Sequence, residues 1–199
     1  METARRMIDA AADIGADCVK FQSWSAASLY SKTYYDENPI AKRFVDRFAL
    51  SPEQLKELSA YARSKELAFS STPYAEEEVD FLLEECCAPF LKIASMELDH
   101  LDFLSYIGRK KVPLVLSTGM GTMEEIRRAV QILERAGTEQ MTLLHCVSIY
   151  PTQVETLNLR NILGLRKEFP QYPIGFSDHT EGDAAAIAAV ALGAALVEK

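Results

Sequence analysis

The stretch Val115-Leu116-Ser117-Thr118-Gly119 is a short apolar run that ends in small polar residues, and a helical stretch follows it. Six more stretches repeat this pattern, at residues 18–22, 68–72, 90–95, 143–148, 174–179 and 195–199. Strands that alternate with helices form a parallel sheet, and a parallel β/α barrel carries its chemistry at the carboxyl ends of its strands. The sequence therefore predicts an α/β fold of the TIM-barrel type, with polar residues gathered at the mouth.

Helical periodicity is visible between these strands, at residues 2–14, 52–65, 75–86, 122–136, 155–169 and 182–193. Ser51 and Thr122 are predicted helix caps, because a residue able to complete a capping box follows each of them three positions later. Gly15, Gly137 and Gly193 stand where helices are expected to end. These signals give the alternating strands and helices their predicted boundaries.

The connection between the first two strands, residues 23–50, is longer than the others and rich in aromatic side chains. It is predicted to be an elaborated loop beside the mouth, with a short helix near 38–47. The chain opens with a predicted helix that no strand precedes. A closed barrel has eight strands, so residues 1–199 are expected to be one partial barrel domain that holds strands two to eight.

Composition narrows the classes of function. The net charge of −8 argues against a general nucleic-acid surface. No apolar run approaches the roughly 20 residues that span a bilayer. The 4 cysteines form no C-x-x-C pair, and they are expected to be small apolar residues of a reducing, cytoplasmic protein. The sequence therefore predicts a cytoplasmic protein with neither a nucleic-acid nor a membrane partner.

Lys20 and Lys92 fall at the ends of predicted strands, between apolar neighbours. A lysine at that depth costs free energy unless it meets an anion. The alternative is a lysine that extends to the rim or pairs with an acid such as Glu97 or Glu198. Two such lysines together favour a site for an anionic ligand.

Two strand-to-helix turns, residues 71–73 and 117–121, carry hydroxyl groups, and the second also carries two glycines. Hydroxyls and backbone N–H groups at the start of a helix can cradle a phosphate or a carboxylate. Serine and threonine at this position are most often simple caps. Their recurrence at several strand ends nevertheless supports the anion site.

The segment 177–180, Ser-Asp-His-Thr, lies just past a predicted strand. His179 can be a metal ligand through a neutral ring nitrogen, and Asp178 can orient it or act on water. The alternative is a helix cap followed by a surface histidine. His145 is expected to be a strand histidine near the core, and His100 a solvent residue.

Six segments in this order resemble the N-acetylneuraminate (sialic acid) synthase family, including its legionaminic and pseudaminic acid relatives. They are residues 15–22, 71–74, 92–97, 116–120, 144–152 and 174–180. The resemblance implies a β/α barrel followed by a small antifreeze-like domain, in a homodimer at full length. It implies that phosphoenolpyruvate condenses with an N-acylated amino sugar, such as N-acetylmannosamine, to give a nine-carbon 2-keto acid and phosphate. It also implies a divalent metal, Mn²⁺ or Mg²⁺.

The resemblance assigns expected roles to individual residues. Contacts to phosphoenolpyruvate are expected from Lys20, Thr72, Lys92, Ser95, Ser117, Gly119, Ser148 and Ser177. Residues expected near the sugar are Gln22, Glu97 and Tyr150, and the residue expected on the metal is His179. The candidates for a catalytic role are Lys20, Lys92, Glu97 and Asp178.

Parts of the family's pattern fall outside residues 1–199. They are an opening strand with a glutamate that acts on substrate, a second metal-binding histidine directly after Lys199, and the antifreeze-like domain. This chain alone is therefore expected to show little or no turnover. Ser148 stands where some members have asparagine.

The alternative function is a 3-deoxy sugar acid phosphate synthase of the same barrel type, acting on a sugar phosphate. A non-catalytic sugar-binding or assembly barrel is the alternative outside the enzymes.

Overall fold

The computed structural model describes all 199 residues of the chain. Seven short strands alternate with helices, as the sequence predicts. The strands are β1 (Cys18–Gln22), β2 (Ala68–Thr72), β3 (Leu91–Ile93), β4 (Leu114–Ser117), β5 (Met141–Cys146), β6 (Ile174–Ser177) and β7 (Val197–Glu198).

Nine α-helices and two short 3-10 helices connect the strands. The α-helices are α1 (Glu2–Asp13), α2 (Lys32–Glu37), α3 (Pro39–Phe48), α4 (Pro52–Ser64), α5 (Glu76–Glu84), α6 (Leu101–Arg109), α7 (Met123–Ala136), α8 (Asn161–Glu168) and α9 (Ala184–Ala191). The 3-10 helices are Ser95–Glu97 and Val154–Thr156. None of the helices is both long enough and apolar enough to cross a membrane.

The strands form two sheets, and neighbours in each sheet follow chain order. One sheet pairs β1 with β2, and the other has the order β3-β4-β5-β6-β7. The pairs β1–β2, β4–β5, β5–β6 and β6–β7 are all parallel. The chain folds into two compact units, Met1–Leu91 and Lys92–Lys199. The parallel order confirms the α/β class, because parallel neighbours require the helical crossovers that the sequence shows.

The core of the second unit is built on its central strands. β4 and β6 are buried along their whole length, which is typical of parallel strands covered on both faces. Leu116, Leu143 and Phe176 are fully buried, and α7 packs Leu133 into the same core. Fully burying each such side chain stabilises the fold by about 1.5–3 kcal/mol. The strand ends that carry the polar residues therefore rest on a rigid base.

The helix ends follow the predicted local signals. Ser51 accepts a hydrogen bond from the Gln54 backbone N–H, and the Gln54 side chain accepts one from the Ser51 N–H. Thr122 and Glu125 form the same reciprocal pair at the start of α7. Gly137 ends α7 at a φ of +114°, a left-handed conformation that glycine adopts without strain.

Two helices, α2 and α6, were not predicted from the sequence. α6 begins after His100, which makes no side-chain capping bond. It therefore lacks the start signal that identifies α4 and α7, although its buried residues recur at helical spacing. α2 has a capping serine, Ser31, but spans only 6 residues, too few for a periodic pattern to emerge.

The predicted helix at 155–169 is wrong in its first half. Val154–Thr156 forms a short 3-10 helix, and α8 begins only at Asn161. Asn158, between them, has a φ of +47°, which no α-helix can contain. The short helix predicted near 38–47 is confirmed by α3 (Pro39–Phe48).

Candidate active site

Alternate residues at the ends of β4 to β7 point to one face of the second sheet. Cys146 lies opposite Ser177, and Ser177 lies opposite Glu198. Side chains along a strand alternate between faces, so these three share a face and His145 lies on the other. Two observed contacts agree with this assignment. Cys146 contacts Ser95, whereas the ring of His145 stacks on Phe176 at 5.8 Å.

Lys92 is the only lysine among the buried polar residues of the chain, with 5% of its surface exposed. Its Nζ donates a hydrogen bond to Ser117 Oγ at 2.8 Å and lies 3.3 Å from Glu198 Oε2. Of the two acids that the sequence offered as partners, Glu198 is the one observed. A buried ammonium needs such a partner, since an unpaired charge would be expelled by its desolvation cost. Lys92 is the middle residue of β3 and not its end, where the sequence predicts it, and it is a buried cation held in place.

Small polar groups crowd around Cys146 at the end of β5. Ser95 Oγ lies 3.1 Å from the Cys146 sulfur, and Ser148 Oγ lies 3.9 Å from it. Gly119 approaches the same residue so closely that a Cβ atom there would lie 2.5 Å from Cys146 Sγ. The structure therefore brings together three residues that the sequence predicted as ligand contacts. Cys146 itself, which the sequence suggested only as a small apolar residue, is their common neighbour.

His179 is held in one tautomer by its contacts. Its Nδ1 lies 2.7 Å from the Val147 carbonyl oxygen, which can only accept, so Nδ1 carries the proton. Its Nε2 is therefore an acceptor, and it lies 2.8 Å from the Tyr150 hydroxyl and 3.2 Å from Ser177 Oγ. Burial lowers the pKa of His179 and outweighs the opposite effect of the Val147 hydrogen bond. The result is a neutral imidazole whose unprotonated nitrogen faces two hydroxyl groups.

Tyr150 and His179 form a stacked pair. Their ring centroids are 3.8 Å apart at an interplanar angle of 24°. Tyr150 is nevertheless 75% exposed, because the rest of its ring projects to solvent. The sequence predicted these residues for the sugar and the metal respectively, and the structure places them in direct contact.

Asp178 anchors the loop that carries His179. Its side chain is fully buried, and its Oδ1 accepts hydrogen bonds from the Thr180 N–H and the Thr180 hydroxyl, both at 2.8 Å. Its Oδ2 accepts from Lys199 Nζ at 2.9 Å. Burial raises the pKa of Asp178, but the bonds from Lys199 and Thr180 together hold it below its usual value. These are the contacts of a residue that orients its neighbour, one of the two roles that the sequence suggested.

Replacing Asp178 with alanine is expected to lower the free energy of unfolding by about 2 kcal/mol, because hydrogen bonds to a charged group are worth about 1.5–3 kcal/mol. Urea unfolding at pH 7 measures the change. Asp183→Ala is the matched control, since Asp183 is exposed and makes no capping bond to α9. Equal stabilities of the two variants would contradict the anchoring role.

Glu97 is buried in the 3-10 helix that follows β3, with 6% of its surface exposed. Its Oε2 lies 2.9 Å from His100 Nδ1. His100 is mostly exposed, as predicted, but it is also the contact that holds the Glu97 side chain. His100 therefore fixes one oxygen of a buried carboxylate.

The first unit holds the remaining predicted residues, Lys20, Gln22 and Thr72. Lys20 lies in the middle of β1 and is partly buried, and Gln22 lies opposite Thr72 in the β1–β2 register. Gln22 Oε1 accepts a hydrogen bond from the Trp24 indole at 2.7 Å. Trp24 belongs to the aromatic 23–50 segment, so this segment orients a predicted sugar contact.

Two contact residues went unrecognised in the sequence. Lys199 contributes the cation that meets Asp178, and Thr180 supplies two of its three hydrogen bonds. An aspartate two positions before a threonine is a usual signal for a turn closed by the aspartate side chain, and it could have identified Thr180. Nothing near Lys199 in the sequence indicates its partner.

His145 is buried on the opposite face of β5 and gives the chain a pH-dependent element. Burial lowers its pKa, and the hydrogen bond to the Leu157 carbonyl opposes this only partly. The unfolded chain therefore binds a proton that the folded chain does not. The contribution of His145 to the free energy of unfolding is expected to be complete above the unfolded pKa of about 6.5. It should decrease as the pH drops below that value.

The variant His145→Gln tests this dependence. Glutamine can still donate to the Leu157 carbonyl but does not titrate, so the loss of stability between pH 7.5 and pH 5.5 should be smaller than in the unchanged chain. Urea unfolding at the two pH values measures it. The same loss in both proteins would show that His145 does not contribute.

The fold and these contacts define an α/β protein of parallel strands, in which polar residues of the Lys92–Lys199 unit meet near strand ends. The model of the NeuB family matches residues 7–199. The chain therefore belongs to the NeuB family, which confirms the resemblance found in the sequence.

The chain is also similar in sequence to individual curated proteins. The chain is 37% identical over 212 residues to N,N'-diacetyllegionaminic acid synthase of Campylobacter jejuni subsp. jejuni serotype O:2, covering 100% of this chain and 62% of the relative. It is 34% identical over 214 residues to the N-acetylneuraminate-9-phosphate synthase of Homo sapiens, covering 100% of this chain and 57% of that protein. The chain thus spans about three fifths of the length of these relatives.

Solved structures share the fold. An N-acetylneuraminic acid (sialic acid) synthetase from Leptospira borgpetersenii serovar Hardjo-bovis, in complex with citrate, matches with a TM-score of 0.90 and 32% identity. The match covers 98% of this chain and 66% of that one. A truncated 3-deoxy-D-arabino-heptulosonate 7-phosphate synthase from Thermotoga maritima matches at 0.73 with 17% identity, covering 99% of this chain and 68% of that one, and shows likeness of fold alone. The predicted fold, part of a TIM-type barrel, is confirmed.

Proposed function

We propose that this chain is the barrel part of a synthase that condenses phosphoenolpyruvate with an N-acylated amino sugar. The products are a nine-carbon 2-keto acid of the sialic type and inorganic phosphate. Membership of the NeuB family supports this proposal, as do relatives named as legionaminic acid, pseudaminic acid and N-acetylneuraminate-9-phosphate synthases. The 3-deoxy sugar acid synthase alternative has only a fold likeness in its favour.

The observation that carries the proposal is the buried contact of Lys92 with Ser117. Phosphoenolpyruvate has a phosphate and a carboxylate, and a desolvated ammonium beside a hydroxyl donor suits either group. Glu198 balances the charge of Lys92 in the structure, and an anionic substrate competes for the same ammonium. Ser95, Ser148 and Ser177 add hydroxyl groups at neighbouring strand ends. Lys20 and Thr72, in the first unit, stay predictions as contacts of this substrate.

The residues fit a divalent metal at one point. His179 is neutral and presents Nε2, while Nδ1 is fixed on a backbone carbonyl, an arrangement common among metal-bound histidines. The structure has no group of three or more acidic, histidine or cysteine side chains able to hold a metal, so His179 is the single ligand that we assign. A bound Mn²⁺ or Mg²⁺ supplies Lewis-acid polarisation of the sugar aldehyde.

The proposed reaction needs both substrates held in line, and it moves one proton to the aldehyde oxygen and one from the attacking water. The C3 carbon of phosphoenolpyruvate bonds to the aldehyde carbon of the open-chain sugar, and the aldehyde oxygen takes a proton to become a hydroxyl. Water adds to C2 and loses a proton, and phosphate leaves by cleavage of its bond to C2. Glu97 and Tyr150 hold the sugar, and Asp178 keeps the His179 loop in place. Holding both substrates in line supplies much of the acceleration.

The assembly and location are part of the proposal. We place the protein in the cytoplasm, as a homodimer at full length, with no nucleic-acid or membrane partner. The net charge of −8 supports the lack of a nucleic-acid partner. Light scattering of the full-length protein tests the dimer.

Two measurements test the proposal. Calorimetry on the 199-residue chain tests binding of phosphoenolpyruvate directly. Turnover is tested in a hybrid in which this chain replaces the matching region of the Campylobacter jejuni relative. The hybrid should convert N-acetylmannosamine, but not arabinose 5-phosphate or erythrose 4-phosphate, to a 2-keto acid detected by mass spectrometry. Condensation of a sugar phosphate alone would favour the alternative synthase.

A further inference from the structure

A cavity of about 500 Å³ lies in the Lys92–Lys199 unit, between α7, α8 and the loops that follow β4 and β5. It shares Gly119 and Ser148 with the candidate active site but extends from them along the helices. Met123, Ile126 and Leu165 supply the helical part of its apolar wall. A volume of this size lies within the usual range of small-molecule sites, roughly 300–1,000 Å³.

His145 lines this cavity with an acceptor that has no partner. The ring is 95% buried, and its Nε2 lies 2.7 Å from the Leu157 carbonyl oxygen. A carbonyl only accepts, so Nε2 carries the proton and Nδ1 is a bare lone pair. Leu157 is the one hydrogen-bond partner of this ring. The bare Nδ1 can therefore accept a hydrogen bond from an O–H or N–H donor that enters the cavity.

Gly164 keeps one wall of the cavity open. It lies inside α8, although glycine is among the poorest helix formers. A Cβ atom at Gly164 would meet nothing within 4 Å, so no protein neighbour requires a glycine there. Asn161 and Leu165 lie on the same face of α8, because residues three and four apart are neighbours on a helix. This face leaves room for a molecule beside the helix.

The lining contains no charged side chain. Its polar groups are the His145 acceptor, amides such as those of Asn158 and Asn161, and a few hydroxyls. We propose that this cavity binds an uncharged, hydroxylated ring of monosaccharide size, with one hydroxyl donating to His145 Nδ1 and an apolar face against Met123 and Leu165. The cavity adjoins the candidate active site, with which it shares Gly119 and Ser148, but the proposal does not rest on the proposed reaction.

The test is a titration of the ¹⁵N-labelled chain, followed by amide chemical shifts. The probes are glucose and N-acetylmannosamine, with glucose 6-phosphate as the charged counterpart. We expect saturable shifts at the amides of Gly164 and Asn161 with both neutral sugars. Gly164→Leu should weaken this binding at least tenfold by filling the cavity, and Gly164→Ala should weaken it less. Lys167→Leu, an exposed change on the same helix, should bind like the unchanged chain.

Each outcome decides the proposal. Three results would overturn it. The first is that the amide shifts of the cavity residues do not change, and the second is that Gly164→Ala and a folded Gly164→Leu both bind like the unchanged chain. The third is tighter binding of glucose 6-phosphate than of glucose. Shifts confined to Tyr150 and His179 would also overturn it, while leaving the proposed synthase function intact. Conversely, failure to bind phosphoenolpyruvate would count against the synthase and not against this cavity.

Discussion

Replacing Lys92 with methionine is expected to abolish binding of phosphoenolpyruvate, with a loss of at least 100-fold in affinity. Methionine keeps the apolar stem but removes the ammonium that donates to Ser117 and faces Glu198. Truncating one partner of a buried charge pair typically costs about 2–5 kcal/mol, and every 1.4 kcal/mol is about a factor of ten in affinity. Isothermal calorimetry measures the binding.

The same variant is expected to be less stable, by about 3 kcal/mol, because Glu198 keeps a charge with no partner. The double variant Lys92→Met/Glu198→Gln separates the two effects. It removes both charges, so it should recover most of the stability while remaining unable to bind phosphoenolpyruvate. Affinity of Lys92→Met within threefold of the unchanged chain would contradict the role of Lys92. Recovery of binding in the double variant would do so as well.

The strands were predictable from the sequence because each one contains a short apolar run that ends in polar or charged residues. β1 and β2 have the predicted bounds, 18–22 and 68–72. The predicted strands at 90–95 and 174–179 extend beyond β3 and β6, which end at Ile93 and Ser177. The additional residues past these ends include Ser95, Asp178 and His179. Their backbone turns away from the sheet at the strand end, where side chains become available to a ligand, and residue pattern alone does not show where pairing stops.

The residue types at the site were also predictable, but their pairing was not. A lysine between apolar residues implies an anion, and the sequence offered Glu97 and Glu198 equally. Only the register of β6 with β7, which sets Glu198 opposite Ser177, decides between them. Glu97 instead meets His100, its close neighbour in the chain. Such long-range choices depend on strand order and register, which a local pattern does not contain.

Replacing Gly119 with alanine is expected to destabilise the chain by about 3 kcal/mol, the upper part of the range for overpacking a core. The new Cβ would lie 2.5 Å from Cys146 Sγ, 2.8 Å from the Cys146 carbonyl oxygen and 2.9 Å from Ser148 Oγ. The two side chains can rotate away, but the carbonyl oxygen belongs to the end of β5 and moves only with that strand. We therefore also expect at least a tenfold loss of phosphoenolpyruvate affinity.

Two further variants isolate the cause of this effect. Gly119→Ala combined with Cys146→Ala removes the sulfur clash but leaves the carbonyl clash, so it should recover only part of the stability lost in urea unfolding. Gly164→Ala is the matched control, because its Cβ meets nothing within 4 Å and alanine is the better helix former by about 1 kcal/mol. It should be at least as stable as the unchanged chain. A Gly119→Ala chain of unchanged stability would mean that the end of β5 yields freely, and a yielding strand end could not hold Ser148 and Gly119 as fixed contacts for a substrate.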